Sequence, residues 1–278
     1  MSVSIAPTVS LANGAAAPVI ALGTWPMMGS EATELIGRAL ELGYRHLDTA
    51  EEYGNEEAVG EAVRASGLPR EEVFVTTKFN ARWHGYDLAQ QAFEASAARL
   101  GVDYVDLLMI HWPNPWLDSY GAAWKGLIKL RDDGKVRAVG TSNFKPVHID
   151  RLLAETGVAP ELNQIQLDPT LARLETRAYH EAHGIVTGSW SPLGRGGAFL
   201  GEKNITDLAE KYGKSPGQIV LRWHLDLGLV IIPRSTNPDR LAQNIDLFDF
   251  SLTDDEVASI TALDQGENVA RDSDTEGH

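Results

Sequence analysis

Eight short β-branched runs alternate along this chain with longer segments of helical period, and that order restricts the possible folds more than any other feature. The runs are Ile20 to Gly23, Arg45 to Asp48, Val73 to Lys78, Val105 to His111, Val136 to Thr141, Glu161 to Ile165, Ile185 to Trp190 and Val230 to Pro233. Apolar periodicity predicts helices over 31–42, 55–65, 87–100, 119–132, 146–156, 172–183, 215–227 and 238–247, so each gap between runs holds at least one. A βαβα order implies parallel strands covered by helices. No Pro/Gly/Ser-rich linker or shift in composition divides the 278 residues. The expectation is an α/β chain whose residues 1–278 form one (β/α)8 barrel, the TIM-barrel architecture, rather than a doubly wound sheet with a second domain. An N-terminal β-hairpin precedes it, with Thr8-Val-Ser-Leu and Pro18-Val-Ile-Ala flanking a loop that opens with Asn13-Gly14. Extra helices over 204–212 and 253–263 and a polar tail from Gln265 to His278 follow the plan as additions.

Local chemistry agrees with several boundaries. Ser30 is placed to cap the first helix, Gly43 to end it, and Ser215-Pro216 reads as an N-cap followed by proline at the first helical position.

Composition narrows the function. Twenty-four Lys and Arg against 39 Asp and Glu leave a net charge of −15, which disfavours nucleic acid and anionic membranes as partners. Any basic pocket must be local. The absence of cysteine removes disulfides, thiolate metal sites and cysteine nucleophiles. The opening residues lack a secretory pattern, no apolar run is long enough for a membrane span, and nothing demands an oligomer; the expectation is a cytoplasmic monomer.

A barrel assembles its active site at the C-terminal strand ends. In order these carry Gly23-Thr24-Trp25, Asp48, Lys78, His111, Ser142-Asn143, Gln164, Trp190-Ser191 and Pro233-Arg234-Ser235, a ring that implies a polar pocket. Singly, Asp48 or Lys78 reads more readily as a salt bridge or a solvated rim charge, and Tyr53 equally well as half-buried packing. Together with His111 they meet a specific chemical need. A tyrosine that protonates a carbonyl oxygen is too weak an acid alone, and an adjacent lysine ammonium, held charged by an aspartate, favours the phenolate and lowers its pKa. His111 is placed to donate a hydrogen bond to the substrate oxygen.

These residues lie in stretches that resemble the aldo-keto reductases: Gly43-Tyr-Arg-His-Leu-Asp-Thr-Ala-Glu-Glu-Tyr-Gly-Asn-Glu56, Thr76-Thr-Lys78, Asp106-Leu-Leu-Met-Ile-His-Trp-Pro113, Val139-Gly-Thr-Ser-Asn-Phe144, Asn163-Gln164, Ser191-Pro-Leu-Gly194 and Ile232-Pro-Arg-Ser235. The resemblance runs from the first strand to the last. It implies that Asp48, Tyr53, Lys78 and His111 take the places of the family's catalytic tetrad, with Tyr53 as proton donor in the reduction of aldehydes, ketones or diketones. It implies NADPH as cofactor, with NADH used more weakly, bound by Gly23, Thr24, Asp48, Ser142, Asn143, Gln164, Trp190, Ser191, Leu193, Gly194, Arg234, Ser235, Arg240 and Asn244. In that assignment Ser142, Asn143 and Gln164 hold the carboxamide and Trp190 stacks on the nicotinamide. The loop from Ser191 to Gly197 follows the pyrophosphate, while Arg234 and Arg240 meet the 2′-phosphate, for which a planar guanidinium is well suited. Arg195 reads equally as a phosphate ligand or a solvated loop charge.

The expected substrate pocket comprises Trp25, Tyr53, Phe79, Trp83, His111 and Trp112, with the loop of Trp116 at its rim. Two stretches depart from the family pattern. Asn163-Gln-Ile-Gln-Leu-Asp-Pro169 replaces the usual Asn-Gln-Ile-Glu-x-His-Pro, and Phe79-Asn-Ala-Arg-Trp83 moves the aromatic group that commonly follows the lysine. The bacterial branch that includes the 2,5-diketogluconate reductases is the nearest in character. Two other readings stay open: a nicotinamide-binding regulatory subunit with little turnover, and a metal-dependent barrel hydrolase suggested by His46, Asp48 and His111. Phosphate-loop, nucleophile-elbow and zinc-helix patterns each fail at a required position, and no Gly-x-Gly-x-x-Gly follows the first strand.

Overall fold

The structure, a computed structural model, describes residues 5–278; residues 1–4, part of the opening segment that lacks a secretory pattern, lie outside it. The strands are β1 (Thr8–Ser10), β2 (Ala16–Pro18), β3 (Leu22–Gly23), β4 (His46–Asp48), β5 (Phe74–Phe79), β6 (Val105–Ile110), β7 (Val136–Ser142), β8 (Leu162–Gln166), β9 (Val186–Trp190) and β10 (Val230–Ile232). The helices are α1 (Gly29–Glu41), α2 (Glu56–Ala65), α3 (Tyr86–Leu100), α4 (Tyr120–Asp132), α5 (Pro146–Thr156), α6 (Leu174–Ala182), α7 (Lys203–Tyr212), α8 (Pro216–Asp226), α9 (Pro238–Ile245) and α10 (Asp254–Thr261). Strands β3 to β10 pair in sequence order, all parallel. Ala21 N–H donates to Ile231 O at 2.8 Å and Gly23 N–H to Pro233 O at 3.0 Å, which brings the two ends of the sheet together as a barrel.

The antiparallel hairpin β1–β2 pairs Thr8 with Pro18 and Ser10 with Ala16. Its second strand therefore lies two residues earlier than expected, and Val19 to Ala21 instead run into the barrel seam. Leu11 and Ala17 join Leu107, Met109, Ala138, Leu162 and Val230 in one buried cluster, so the hairpin closes the end of the barrel away from the strand C-termini.

Helix entry shows how local sequence acts. Ser215 Oγ accepts from Gln218 N–H while the Gln218 side chain accepts from Ser215 N–H, a reciprocal cap behind Pro216. Ser30 does not cap α1. Gly29 takes φ of 61° and turns the chain one residue earlier, leaving Met28 as an N-cap without a side-chain bond. At the other end the chain leaves α1 through Gly43 at φ 104°. Close packing of α2 on α3 requires Gly60, where a Cβ would lie 1.8 Å from Leu100 O.

Strand β5 is buried along all six residues, as a parallel strand covered on both faces must be. Its alternation has direct consequences for the site. Thr77 faces α2, where its hydroxyl donates to the buried Glu56 carboxylate, and Phe79 joins the helix-side core, whereas Lys78 points to the barrel interior.

Candidate active site at the barrel mouth

Every barrel strand end but that of β5 borders one cavity of about 710 Å³, and Lys78 of β5 lies buried against its Asp48. Register sets their heights: Gly23 pairs with Asp48, Asp48 with Thr76, Lys78 with Met109, Ser142 with Gln164, and Gln166 with Trp190. Tyr53 reaches the same wall from a short turn, Glu51–Tyr53, that Gly54 ends at φ 63°.

Lys78 is fully buried. Its Nζ donates to Asp48 Oδ1 at 2.6 Å and to Thr49 O at 3.0 Å, while Asp48 Oδ2 accepts from Gln164 Nε2 at 2.8 Å. Burial works against the ammonium, but the Asp48 carboxylate and the Tyr53 phenol beside it more than offset this, and the Lys78 pKa stands above its ordinary value. The Nζ lies 5.3 Å from the centre of the Tyr53 ring. Burial raises the phenol's pKa, and the neighbouring Lys78 charge opposes that rise without cancelling it. The expected lowering by lysine is thus present but outweighed by desolvation, so Tyr53 is a neutral acid at neutral pH.

His111 follows β6, with its ring centre 5.9 Å from that of Tyr53. Burial first, then the charges of Lys78 and His278, hold its pKa well below the usual histidine range, so the ring is neutral. Its Nδ1 lies 3.3 Å from Asn80 Oδ1. The ring of His278, from the tail, packs edge-on against it at 4.8 Å.

Beyond the tetrad, Asn143 at φ 64° donates through Nδ2 to His111 O and accepts from Trp190 Nε1 at 2.9 Å, tying β7 to β9. Ser142 Oγ donates to Gln164 O at 3.1 Å. The loop after β9 holds Ser191, Gly194, Arg195 and Gly196 at positive φ. Asn237 caps α9 by accepting from Asp239 N–H and Arg240 N–H. Most Lys and Arg side chains pair with carboxylates. Among the described residues, Arg45, Arg64, Lys135, Arg177, Arg195, Arg234 and Arg240 have no such ion pair, and of these Arg195, Arg234 and Arg240 line this cavity. Arg195 and Arg234 flank Trp25, at 5.4 and 6.0 Å from its ring centre.

Of the expected cofactor residues, Gly23, Thr24, Asp48, Ser142, Asn143, Gln164, Trp190, Ser191, Leu193, Arg234, Ser235, Arg240 and Asn244 line the cavity, and Gly194 lies between two that do. Of the expected substrate residues, Tyr53, Trp25, His111 and Trp112 line it. Phe79 does not: its side chain falls on the helix side of β5 and is fully buried there. Trp83 is turned away, its Nε1 donating to Glu51 Oε2 at 2.8 Å, and Trp116 projects to solvent. Among the lining residues that the sequence did not suggest as part of a site are Leu200, Ser215, Gly217, Thr236, Gln243, Glu52, Arg271 and His278. The last two belong to the tail. Lys145 pairs with Asp272 and Asp274 at 2.5 Å, and His148 Nε2 meets Asp274 at 2.9 Å, which draws the segment over the mouth. Arg271 then lies 5.0 Å from the Trp112 ring centre.

His46, grouped with Asp48 and His111 in the metal reading, turns Nδ1 to Pro18 O and Nε2 to Thr76 Oγ1. Among the described residues no group of three His, Cys, Asp or Glu is set to hold a metal.

The model of the Aldo/keto reductase family matches residues 19–265. The chain belongs to the aldo-keto reductase family. Within that family, a methylglyoxal reductase, DkgA, of Escherichia coli K12 is 45% identical over 274 residues, covering 98% of each chain. A solved structure of a Gox0644 mutant in complex with NADPH superposes with a TM-score of 0.93 at 39% identity, over 99% of this chain and 100% of that one. An aldo-keto reductase of Bombyx mori in complex with NADP gives 0.87 at 38% identity, over 94% of each. The aldo-keto reductase fold is thus shared over nearly the whole length.

Proposed function

We propose that this aldo-keto reductase reduces small aldehydes, ketones and diketones to alcohols with NADPH, and that Tyr53 supplies the proton. The observation that carries the reading is the Tyr53 phenol, set beside a buried Lys78–Asp48 pair at the wall of a cavity whose other arm holds three arginines without carboxylate partners.

The residues present fit the cofactor. In an acidic chain, unpaired Arg234 and Arg240 beside the capped start of α9 suit a phosphate dianion, and Arg195 on the glycine-rich loop suits a pyrophosphate. Ser142, Asn143 and Gln164 offer amide and hydroxyl groups for a carboxamide, and Trp190 an aromatic face. NADPH, when bound, supplies the hydride for the carbonyl carbon. Tyr53 O–H hydrogen-bonds the carbonyl oxygen and gives it the proton. Lys78 remains charged through this step and stabilises the phenolate left behind, while Asp48 holds Lys78 in place. The Trp112 Nε1, buried and without a partner among the described residues, is a further donor in the substrate arm.

On this reading residues 1–278 form one catalytic domain that acts as a cytoplasmic monomer. NADPH is an intracellular reductant. No helix among the described residues is long and apolar enough to cross a membrane, and the charge of −15 disfavours nucleic acid. The test is a steady-state assay of NADPH and NADH oxidation with methylglyoxal, short aldehydes and diketones. Turnover with NADPH favoured is expected. Cofactor binding without turnover of any carbonyl would point instead to a regulatory subunit.

A further inference from the structure

The stretch from Phe79 to Trp83 departs from the family pattern, and the mechanism above uses none of its residues. Its displaced aromatic group has a partner in the fold. Trp83 Nε1 donates to Glu51 Oε2 at 2.8 Å, Arg82 donates to the same oxygen at 2.7 Å, and Asn80 N–H donates to Glu51 Oε1 at 2.9 Å. One carboxylate thus gathers donors from three residues of a single short turn, which Trp83 N–H closes by donating to Asn80 O at 3.0 Å. The Glu51 side chain is 3% exposed, and the Arg82 guanidinium that balances its charge lies 5.0 Å from the centre of the Trp83 ring. An indole, a guanidinium and a backbone N–H can only donate here, so an acceptor on every side is required. A carboxylate meets that need, whereas an amide would turn its own N–H groups toward one of the donors.

This clasp joins the two segments that carry the proposed chemistry. Glu51 opens the turn that bears Tyr53, in which Tyr53 N–H donates to Ala50 O and Gly54 N–H to Glu51 O. Asn80 stands two residues beyond Lys78. On its other flank the Tyr53 turn is held by Asn55, whose Nδ2 donates to Thr24 O and Met27 O. Between these anchors the Tyr53 ring centre lies 5.3 Å from Lys78 Nζ, and the support that an ammonium gives a phenolate falls with distance. We propose that Glu51 is a positioning residue: its clasp on Asn80, Arg82 and Trp83 fixes the Tyr53 turn against the end of β5 and so holds the phenol at Lys78. Glu51 does not line the cavity and acts only through Tyr53. Its role rests on the reading of Tyr53 as proton donor.

Single-turnover oxidation of NADPH by the full chain, followed by stopped flow at saturating methylglyoxal, reads the chemical step. Glu51→Gln keeps the size of the side chain but sets an N–H group against a donor. Its rate should fall by about 10-fold to 100-fold, the scale of a displacement of about 1 Å at a reacting group, with Kd for NADPH nearly unchanged. Trp83→Phe removes one hydrogen bond and keeps an aromatic ring, and should slow the step by about twofold to tenfold. In Tyr53→Phe, where no phenol remains to be positioned, adding Glu51→Gln should leave the residual rate unchanged; a merely structural role would lower that rate as well. A folded Glu51→Gln protein with the wild-type rate, or an equal fall in the Tyr53→Phe background, overturns the proposal. If Glu51→Gln does not fold, a wild-type rate in Trp83→Phe overturns it. A Tyr53→Phe protein as fast as the wild type counts instead against Tyr53 as the donor, and failure of the wild type to reduce methylglyoxal or any other small carbonyl counts against the carbonyl-reductase reading itself.

Discussion

Replacing one member of the Lys78–Asp48 pair should harm the protein more than replacing both. Lys78 is fully buried and Asp48 is 2% exposed, and their 2.6 Å contact is extended by Thr49 O on one side and Gln164 on the other. Asp48→Asn leaves an ammonium in the barrel interior with the Thr49 carbonyl as its main remaining partner. Lys78→Met leaves a carboxylate with Gln164 alone. Removing one partner of a buried ion pair costs about 3–5 kcal/mol, because the surviving charge stays desolvated. In the double variant both charges are gone and the Gln164 amide can rotate, so the expected loss is about 1–3 kcal/mol of hydrogen bonding. The sum of the single losses is then several kcal/mol larger than the double loss, a coupling well outside the few tenths found between independent sites. Urea unfolding of the four proteins at pH 7, followed by far-UV circular dichroism, measures each term. Carbonyl reduction should fall severely in each single variant, and in the double by much less than the product of the two factors. Additive stabilities, or activity losses that multiply, would refute the argument that the two charges act as one unit.

Arg234→Gly should raise KM for NADPH by roughly 10-fold to 150-fold, since a hydrogen bond to a charged group contributes about 1.5–3 kcal/mol, and leave KM for NADH nearly unchanged; equal effects on both cofactors would show that Arg234 does not meet the 2′-phosphate. Acid should destabilise the fold through its buried histidines. Burial lowers His46 and His224 from 6.5 to about 4 in the folded protein. Between these values the unfolded chain binds more protons than the folded one, so stability falls as pH drops from about 6.5 to 4, by up to about 1.4 kcal/mol per pH unit for each histidine. Urea midpoints measured across that range should show the decline, and His46→Asn should reduce its slope; a flat profile would contradict it.

Strand and helix periodicity made the barrel legible because parallel strands buried on both faces and amphipathic helices leave different traces in sequence. The limits fell where backbone geometry or distant contacts decide. Ser30 carries a capping side chain, yet Gly29 turns the chain before it. Phe79 follows Lys78, yet strand alternation sends it to the opposite side of the sheet. The residues that line the cavity from strand ends were readable, since position along a strand fixes their height. The polar tail gave no such signal. It reaches the mouth through contacts between Lys145 or His148 and carboxylates more than 120 residues away, and only the folded chain brings His278 to His111. Asn80 was visible as a departure from the family pattern, but its link to His111 spans 31 residues and depends on the register of β5 and β6.

Tyr53→Phe tests the proposed chemistry most directly, because it removes one hydroxyl and leaves the ring beside Lys78 and His111. Steady-state NADPH oxidation with methylglyoxal gives kcat, and a titration of tryptophan fluorescence with NADPH gives Kd. Loss of a general acid should lower kcat by about 10²–10⁴-fold, while Kd for NADPH should change little. A variant that keeps more than a tenth of the wild-type kcat, or one that loses NADPH affinity in step with its activity, would contradict the assignment of Tyr53 as the proton donor.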